Sequence, residues 1–354
     1  MSNMLAHQII PSLVEDVKKI PTGGCDVTRI AQNSSLNDVI GRRTTRNSAI
    51  PCPSLPRLEE LEVQHEAETR SLWQFMKPAG RPSFTPGLLR DMTAAIDWVE
   101  HSHRAEGCAD EAIRYLVLAS KMPGIFNLGG DLPHFIELIA AGDRARLRWY
   151  ARVCAEGQHR RAVGFGLPIC TIAVVQGDAL GGGFEAALAH DVIIAERGAS
   201  FGLPEVLFGM FPGMGAYSFL ARRLDPIRAE RIILSGRIYK AEELHAMGVV
   251  DELTEDGQGL QAARDFIRSF DRARGSRQAL LQARKMLQPV TLKELVDIAD
   301  LWVDAALQLS GSELRKMSHL AKAQDRRWQR VAAAGTGANT GTGTGTCDRM
   351  SEAS

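Results

Sequence analysis

Two glutamates and two glycine-rich turns are the residues of this sequence whose types and spacing suit proton transfer. Glu185 and Glu205 are the glutamates, and Gly130 and Gly182 lie in the segments IFNLGGDL and GDALGGGFE. Two backbone N–H groups can stabilise a developing oxyanion, while two carboxyl groups can supply one base and one acid. This set of residues predicts acid–base chemistry beside a polarised carbonyl group.

Each glycine turn follows a predicted strand and precedes a predicted helix. The strands are RYLVLAS (114–120) and PICTIAVV (168–175). The first N–H groups of a helix have no partner within the helix, and glycine has no side chain to block them. A single glycine turn of this kind is more often a tight turn or a packing contact. Two turns in matching context favour an oxyanion hole formed by Gly130 and Gly182. Neither turn has the spacing of a nucleotide-binding loop.

The two glutamates are predicted to lie beside these turns. Glu185 is three residues after Gly182, in the first turn of the helical segment FEAALAH. Glu205 follows Pro204 in the otherwise apolar stretch ASFGLPEV. Either glutamate alone is consistent with a solvated or helix-capping carboxylate. Their spacing from each other and from the glycine turns is what predicts a catalytic pair.

The sequence around these residues predicts an α/β fold in which helices cover buried strands. A third strand, DVIIAE (191–196), follows the second turn, and from Gln261 onward the sequence is almost wholly helical, with breaks expected at Gly275, Pro289 and Gly311. We predict four regions: a flexible arm (1–56), an α/β core (57–258), a helical C-terminal subdomain (259–332) and a disordered Gly/Thr-rich tail (333–354).

Charge and cysteine content exclude several classes of protein. The 354 residues contain 42 basic and 42 acidic side chains, so no excess charge attracts nucleic acid or anionic membranes. The six cysteines have neither the spacing of a metal site nor that of a disulfide framework. The longest apolar run is too short to cross a bilayer, and no signal-peptide pattern opens the chain. We therefore expect a cytoplasmic protein without metal or cofactor.

The quoted motifs resemble the crotonase (enoyl-CoA hydratase/isomerase) superfamily over about residues 110 to 255. The resemblance implies a ββα spiral core, oxyanion donors at Gly130 and Gly182, and an acid/base pair at Glu185 and Glu205. It also implies a thioester substrate on coenzyme A or acyl carrier protein, and a homotrimer or a multiple of it.

A closer resemblance, from about residue 70 to 330, is to the diffusible signal factor synthases. It rests on LWQFMKPAGRPSFTPGLLRDM (72–92), FPGMGAYSFLARRL (211–224) and LWVDAALQL in the helical tail. It implies dehydration of a 3-hydroxyacyl group on acyl carrier protein to a cis-2-enoyl thioester, followed by thioester cleavage to give a fatty acid signal. Ordinary hydratases have a Gly-Gly-Thr-Gln-like stretch where this chain has Ala216-Tyr217-Ser218. Two alternatives stay open: an acyl-CoA hydratase, and a non-catalytic protein that binds a partner such as a signalling sensor.

Two further sets of residues are candidates for substrate binding. Leu180, Met214, Trp302 and Leu320 are candidates for an acyl pocket, although apolar residues at such positions are more often core. A run of arginines can either dock an acidic carrier protein or form a solvated helix face. Its members are Arg144, Arg146, Arg148, Arg152, Arg160 and Arg161.

Overall fold

The computed structural model describes residues 56–104 and 112–337. The predicted arm, apart from Pro56, and the end of the predicted tail lie outside the described residues. Within them the predicted α/β core and helical C-terminal region are both present.

A six-stranded sheet forms the base of the core. Its strands are β1 (Leu61–Glu66), β2 (Ser71–Met76), β3 (Tyr115–Ser120), β5 (Cys170–Val175), β7 (Val192–Glu196) and β10 (Glu252–Thr254). The strand order is β1-β2-β3-β5-β7-β10, and every pair is parallel except the hairpin β1–β2. β2, β3, β5 and β7 are buried along their whole length, as expected for parallel strands covered on both faces. The three strands predicted from the sequence are β3, β5 and β7.

A second sheet of four short strands lies along the ends of the first. Its strands are β4 (Ile125–Asn127), β6 (Asp178–Leu180), β8 (Ser200–Gly202) and β9 (Ile238–Lys240), in the order β4-β6-β8-β9. A short strand follows each of β3, β5 and β7 within a few residues, and a helix then follows the short strand. This repeated ββα arrangement is the predicted spiral, and it places both glycine turns at equivalent positions, directly after β4 and β6.

Eleven α-helices occur among the described residues. They are α1 (Pro86–Arg104), α2 (Leu132–Ala140), α3 (Arg144–Ala162), α4 (Gly182–Leu188), α5 (Ala216–Arg223), α6 (Pro226–Ser235), α7 (Ala241–Ala246), α8 (Gly259–Arg272), α9 (Arg274–Leu287), α10 (Leu292–Ala306) and α11 (Gly311–Gly337). A 3₁₀ helix, Pro204–Phe208, follows β8 and begins with proline, whose fixed φ suits the first helical turn.

The C-terminal helices follow the predicted pattern with two differences. Pro289 separates α9 from α10, and Gly311 begins α11, as expected. Gly275 does not end a helix: the break falls at Ala273, and Gly275 lies in the first turn of α9. α11 runs to Gly337, five residues past the boundary predicted at 332. The alanines at 332–334 explain this extension, because alanine has the highest helix propensity.

Core packing on both faces of the large sheet fixes the elements that carry the glycine turns and the glutamates. Phe184 of α4 and Phe201 of β8 are fully buried, and their rings meet at a centroid distance of 5.2 Å. α8 packs Ala263, Ile267 and Phe270 on the opposite face of the large sheet. Burial of large side chains on each side fixes α4 and the 3₁₀ helix relative to the sheet.

Candidate active site

The first glycine turn is held by hydrogen bonds on both sides of Gly129. The Gly129 amide donates to Asn127 Oδ1 at 2.8 Å, and the Phe84 amide donates to the Gly129 carbonyl at 2.8 Å. Gly129 has a φ of +93°, a conformation that side chains other than glycine rarely adopt. The Gly129 carbonyl and the Gly130 N–H belong to one peptide plane and point in opposite directions. Fixing the carbonyl therefore directs the Gly130 N–H.

The second glycine turn is held in the same way. The Gly181 amide donates to the Gly202 carbonyl at 2.8 Å, and the Gly181 carbonyl accepts from the Glu185 amide at 3.1 Å. The Gly182 N–H follows as the first amide of α4, at the positive end of the helix.

The two turns face each other closely. A Cβ atom added to Gly129 would lie 2.9 Å from the Gly182 nitrogen, and one added to Gly182 would lie 3.5 Å from the Gly130 nitrogen. Across residues 56–104 and 112–337, neither the Gly130 nor the Gly182 amide donates to another backbone group. The two predicted oxyanion donors are therefore neighbours with unused N–H groups.

Glu185 is buried inside the fold, with only 1% of its surface exposed. Its Oε1 accepts hydrogen bonds from the Met214 amide at 2.7 Å and the Ala216 amide at 3.0 Å. Burial raises the pKa of the Glu185 carboxyl to about 7, and the two amide donors oppose part of that rise. A carboxyl group with this pKa can exchange a proton near neutral pH.

Glu205 lies on the 3₁₀ helix with its carboxyl against the second turn. A Cβ added to Gly181 would lie 2.5 Å from Glu205 Oε1, so only glycine leaves room for the carboxyl there. Glu205 Oε2 is buried and has no hydrogen-bond partner among the described residues. Burial, followed by the nearby charge of Glu185, raises the pKa of Glu205 to about 8.

The two carboxyl groups differ in what favours their charged forms. Amide donors stabilise a negative charge on Glu185, whereas the buried Oε2 of Glu205 has no such donor. Two negative charges in one buried site repel each other. At a pH between the two pKa values, the pair therefore carries one proton. The two amide donors favour the charged form of Glu185 over that of Glu205.

Both glutamates open into one mostly apolar cavity. Of the four predicted acyl-pocket residues, Met214, Trp302 and Leu320 line it together with Gly130, Gly182, Glu185 and Glu205. Leu180 is not among the lining residues. It ends β6 beside Asp178, and alternation along the strand turns both side chains to the same face. A place for Leu180 in an acyl pocket stays a prediction.

Several lining residues were not predicted from the sequence. Phe135 of α2 meets Tyr150 of α3 at a ring-centroid distance of 4.8 Å and Trp302 of α10 at 5.1 Å. Phe208, Met317 and Gln324 complete the wall from the 3₁₀ helix and α11. The spacing of Phe135, Ile139 and Leu132 indicates a buried face of α2, but no local signal distinguishes a pocket wall from ordinary core.

Water-sized molecules can occupy only about 40 Å³ of this cavity. That space holds about three water molecules, far less than a fatty acyl chain needs.

A family model described as enoyl-CoA hydratase/isomerase matches residues 72–321. The chain belongs to the enoyl-CoA hydratase/isomerase family. Mitochondrial methylglutaconyl-CoA hydratase from Rattus norvegicus is 30% identical over 221 residues, which cover 61% of this chain and 64% of that protein. A probable enoyl-CoA hydratase from Mycolicibacterium paratuberculosis is 32% identical over 213 residues, 60% of this chain and 71% of that protein. The match therefore spans less than two thirds of the rat relative.

Solved structures agree with the family at the level of the fold. Enoyl-CoA hydratase from Bacillus halodurans is 21% identical, with a TM-score of 0.62 over 74% of this chain and 100% of that chain. DspI from Pseudomonas aeruginosa is 26% identical, with a TM-score of 0.53 over 67% of this chain and 87% of that chain. The predicted crotonase superfamily and its fold class are confirmed.

The arginine run is largely paired within this member of the family. Arg148 and Arg152 both bind Asp300 of α10, and Arg144 binds Asp304. The remaining three pair elsewhere or are buried: Arg146 with Asp143, Arg160 with Asp97 and Glu100, and Arg161 inside the core. Most of the run therefore pairs with nearby carboxylates, and docking of a carrier protein there stays a prediction.

Three further findings concern only the part of the chain that the structure describes. No cluster of His, Cys, Asp and Glu there is large enough to hold a metal ion. No helix there is long and apolar enough to span a membrane. Cys154 and Cys170 are buried free thiols, and burial raises the pKa of each well above its ordinary value.

Proposed function

We propose that this protein dehydrates a 3-hydroxyacyl thioester to a cis-2-enoyl thioester and then hydrolyses the thioester to release a fatty acid signal. The observation that carries the proposal is a buried carboxyl pair holding one proton beside two unused amide N–H groups in an apolar cavity. Such a site can form an enolate and protonate a leaving group at neutral pH.

Dehydration uses the oxyanion hole and both glutamates. The N–H groups of Gly130 and Gly182 donate to the thioester oxygen, and one carboxylate removes the α-proton to leave an enolate. The enolate electrons form the double bond as the bond from C3 to the hydroxyl oxygen breaks, and the other carboxyl donates its proton to release water. The pair ends with one proton, on the opposite partner, and hydration is the reverse.

Thioester hydrolysis can use the same groups. A carboxylate takes a proton from water as the water oxygen bonds to the thioester carbon, and the N–H groups stabilise the resulting oxyanion. The tetrahedral intermediate then expels the thiolate, which takes a proton from the carboxyl pair. The products are a free fatty acid and the carrier thiol.

The diffusible signal factor synthase branch is supported by segments outside the catalytic turns. The segment 72–92, which carries part of that resemblance, includes Phe84, whose amide fixes the Gly129 carbonyl. DspI is among the similar solved structures above 25% identity. A preference for acyl carrier protein over coenzyme A rests on the branch resemblance, because the arginine run is paired internally.

The exposed surface of α9 bears on how the protein assembles. We propose a homotrimer or a multiple of it, since α9 has no buried residue and exposes Leu280, Met286 and Leu287. A signalling sensor as protein partner and a cytoplasmic location remain predictions.

The second candidate function is hydration of an acyl-CoA ester. It is favoured by the relatives whose names specify CoA hydratases. A purely binding role is the third candidate, and the intact carboxyl pair argues against it.

Product analysis separates the three. Purified protein should be given 3-hydroxyacyl chains on acyl carrier protein and on coenzyme A, and the products followed by mass spectrometry. We expect free cis-2-enoic acid from the carrier-protein substrate. Reversible formation of enoyl-CoA from the coenzyme A substrate without acid release would favour the second candidate, and no turnover of either substrate would favour the third.

A further inference from the structure

The peptide that precedes the oxyanion donor is held on both of its polar groups. This peptide joins Leu128 to Gly129. Its N–H donates to Asn127 Oδ1 at 2.8 Å, and its carbonyl accepts from Gln324 Nε2 at 3.2 Å. Asn127 is local to the turn, whereas Gln324 lies in α11, 196 residues further along the chain. The C-terminal helix thus takes part in shaping the first turn.

Two neighbours fix the direction of the Gln324 side-chain amide. Arg81 Nη1 donates to Gln324 Oε1 at 3.3 Å, and the Leu128 carbonyl can only accept. Because arginine is only a donor, the amide oxygen must face Arg81 and the amide nitrogen must face Leu128. Gln324 is itself 5% exposed and lines the cavity, so water does not compete freely for these bonds.

Ion pairs and a hydrogen bond hold the part of α11 around Gln324 in place. Arg81 also donates to Asp325 at 2.7 Å and to the Ala321 carbonyl at 3.3 Å. Arg327 binds the buried Asp178, which begins β6 just ahead of the second glycine turn. α11 is therefore tied to the strands and turns that carry both oxyanion donors.

We infer that Gln324 is a positioning residue that acts through the Leu128 carbonyl to orient the Gly130 N–H in the oxyanion hole. Gly129 permits rotation between the two peptide planes, so the direction of the Gly130 N–H depends on how firmly both planes are held. Phe84 holds one plane, and Asn127 and Gln324 hold the other. This inference rests on the proposed function, since it assigns a role within the same site.

The test compares Gln324→Glu with Gln329→Glu. A glutamate at 324 can still accept from Arg81 but cannot donate to the Leu128 carbonyl. Gln329 is exposed on the same helix, so it provides the same chemical change away from the site. We expect Gln324→Glu to lower kcat about tenfold with KM changed less than about twofold, because one support of a donor worth about 10²–10³ in rate is lost.

A binding measurement separates positioning from general damage. The probes are two analogues of a 3-hydroxyacyl thioester, one with an amide in place of the thioester and one with methylene in place of its carbonyl group. We expect Gln324→Glu to weaken binding of the amide analogue about fivefold and to leave the methylene analogue unchanged, since only the amide carbonyl uses the oxyanion hole. Gln324→Met loses both hydrogen bonds and should show the same difference between the two analogues. It replaces the glutamate variant if that variant does not fold.

Two results overturn the inference: Gln324→Glu turning over like Gln329→Glu, or an equal loss of affinity for both analogues. If the wild-type protein turns over no 3-hydroxyacyl thioester, the proposed function fails instead. The comparison of the two analogues still tests Gln324 in that case.

Discussion

At the scale of single residues, the site depends on the different environments of Glu185 and Glu205. Burial of the carboxyl groups raises both pKa values, although Glu205 as a whole is only part-buried, and only Glu185 receives two amide hydrogen bonds. The pKa of Glu185 is about 7 and that of Glu205 about 8, so neutral pH lies where the pair can both give and take a proton.

These shifts predict a pH-dependent stability. A raised carboxyl pKa means that the folded protein keeps a proton that the unfolded chain has already released. For Glu205 this holds between its ordinary pKa of 4.5 and about 8. The free energy of unfolding should therefore fall as pH rises through that window, by at most about 1.4 kcal/mol per pH unit for one group.

Glu205→Gln removes this titration. Between pH 5 and pH 8 the variant should gain roughly 3 kcal/mol of stability relative to the wild type, measured by urea unfolding at each pH. Glu68→Gln, an exposed site, is the control and should follow the wild type. A variant whose stability falls as steeply as that of the wild type would mean that Glu205 is not held protonated.

The glutamates and glycines could be predicted because their relations are short-range. Glu185 is one helical turn from Gly182, and a strand–glycine–helix sequence is visible in a few residues. The backbone donors to Glu185 could not be predicted, because the Met214 and Ala216 amides come from a turn about thirty residues away whose path depends on packing.

At the scale of elements, α11 and the 3₁₀ helix close a cavity too small for an acyl chain. Met317 and Leu320 of α11 and Phe208 of the 3₁₀ helix line it. The size of the side chains on α11 should therefore limit the acyl length that the site accepts.

Leu320→Trp tests this limit. The larger ring should fill remaining space, so kcat/KM for the longest substrates should fall roughly tenfold or more while short chains are affected less. kcat/KM should be measured for a series of 3-hydroxyacyl chain lengths. His319→Trp, at an exposed neighbouring position, is the control. An equal loss for all lengths would show that Leu320 does not border the acyl chain.

Long-range contacts explain what the sequence did not predict at this scale. The helical tail was visible from its periodicity, but nothing local connects Gln324 to the Leu128 carbonyl. The arginine run looked like an open basic face because Asp300, which pairs with two of its members, lies about 150 residues later. Leu180 adjoins a glycine turn in the sequence, yet it is not among the residues that line the cavity.

At the scale of the whole molecule, α9 exposes three large apolar side chains. Leu280, Met286 and Leu287 are 71%, 77% and 80% exposed, and the groove beside them is lined by Phe266 and Phe270 of α8. A contiguous apolar surface of this kind commonly marks a protein–protein interface. It supports the predicted homo-oligomer.

The double variant Met286→Lys/Leu287→Lys should therefore dissociate the assembly. Light scattering coupled to size-exclusion chromatography should give about three chain masses, or a multiple, for the wild type and a lower mass for the variant. Leu301→Lys changes an exposed leucine of α10 and should leave the mass unchanged. A monomeric wild type, or a double variant of unchanged mass, would contradict this assembly.

The most direct test of the account is the turnover of Glu185→Gln and Glu205→Gln. Glutamine keeps an acceptor for the Met214 and Ala216 amides, so the fold should persist while proton transfer is lost. We expect each variant to lose about 10²–10⁴-fold in kcat for 3-hydroxyacyl thioester dehydration, and the double variant to lose little more. Wild-type turnover by either folded single variant would contradict the assignment of the two glutamates as the acid/base pair.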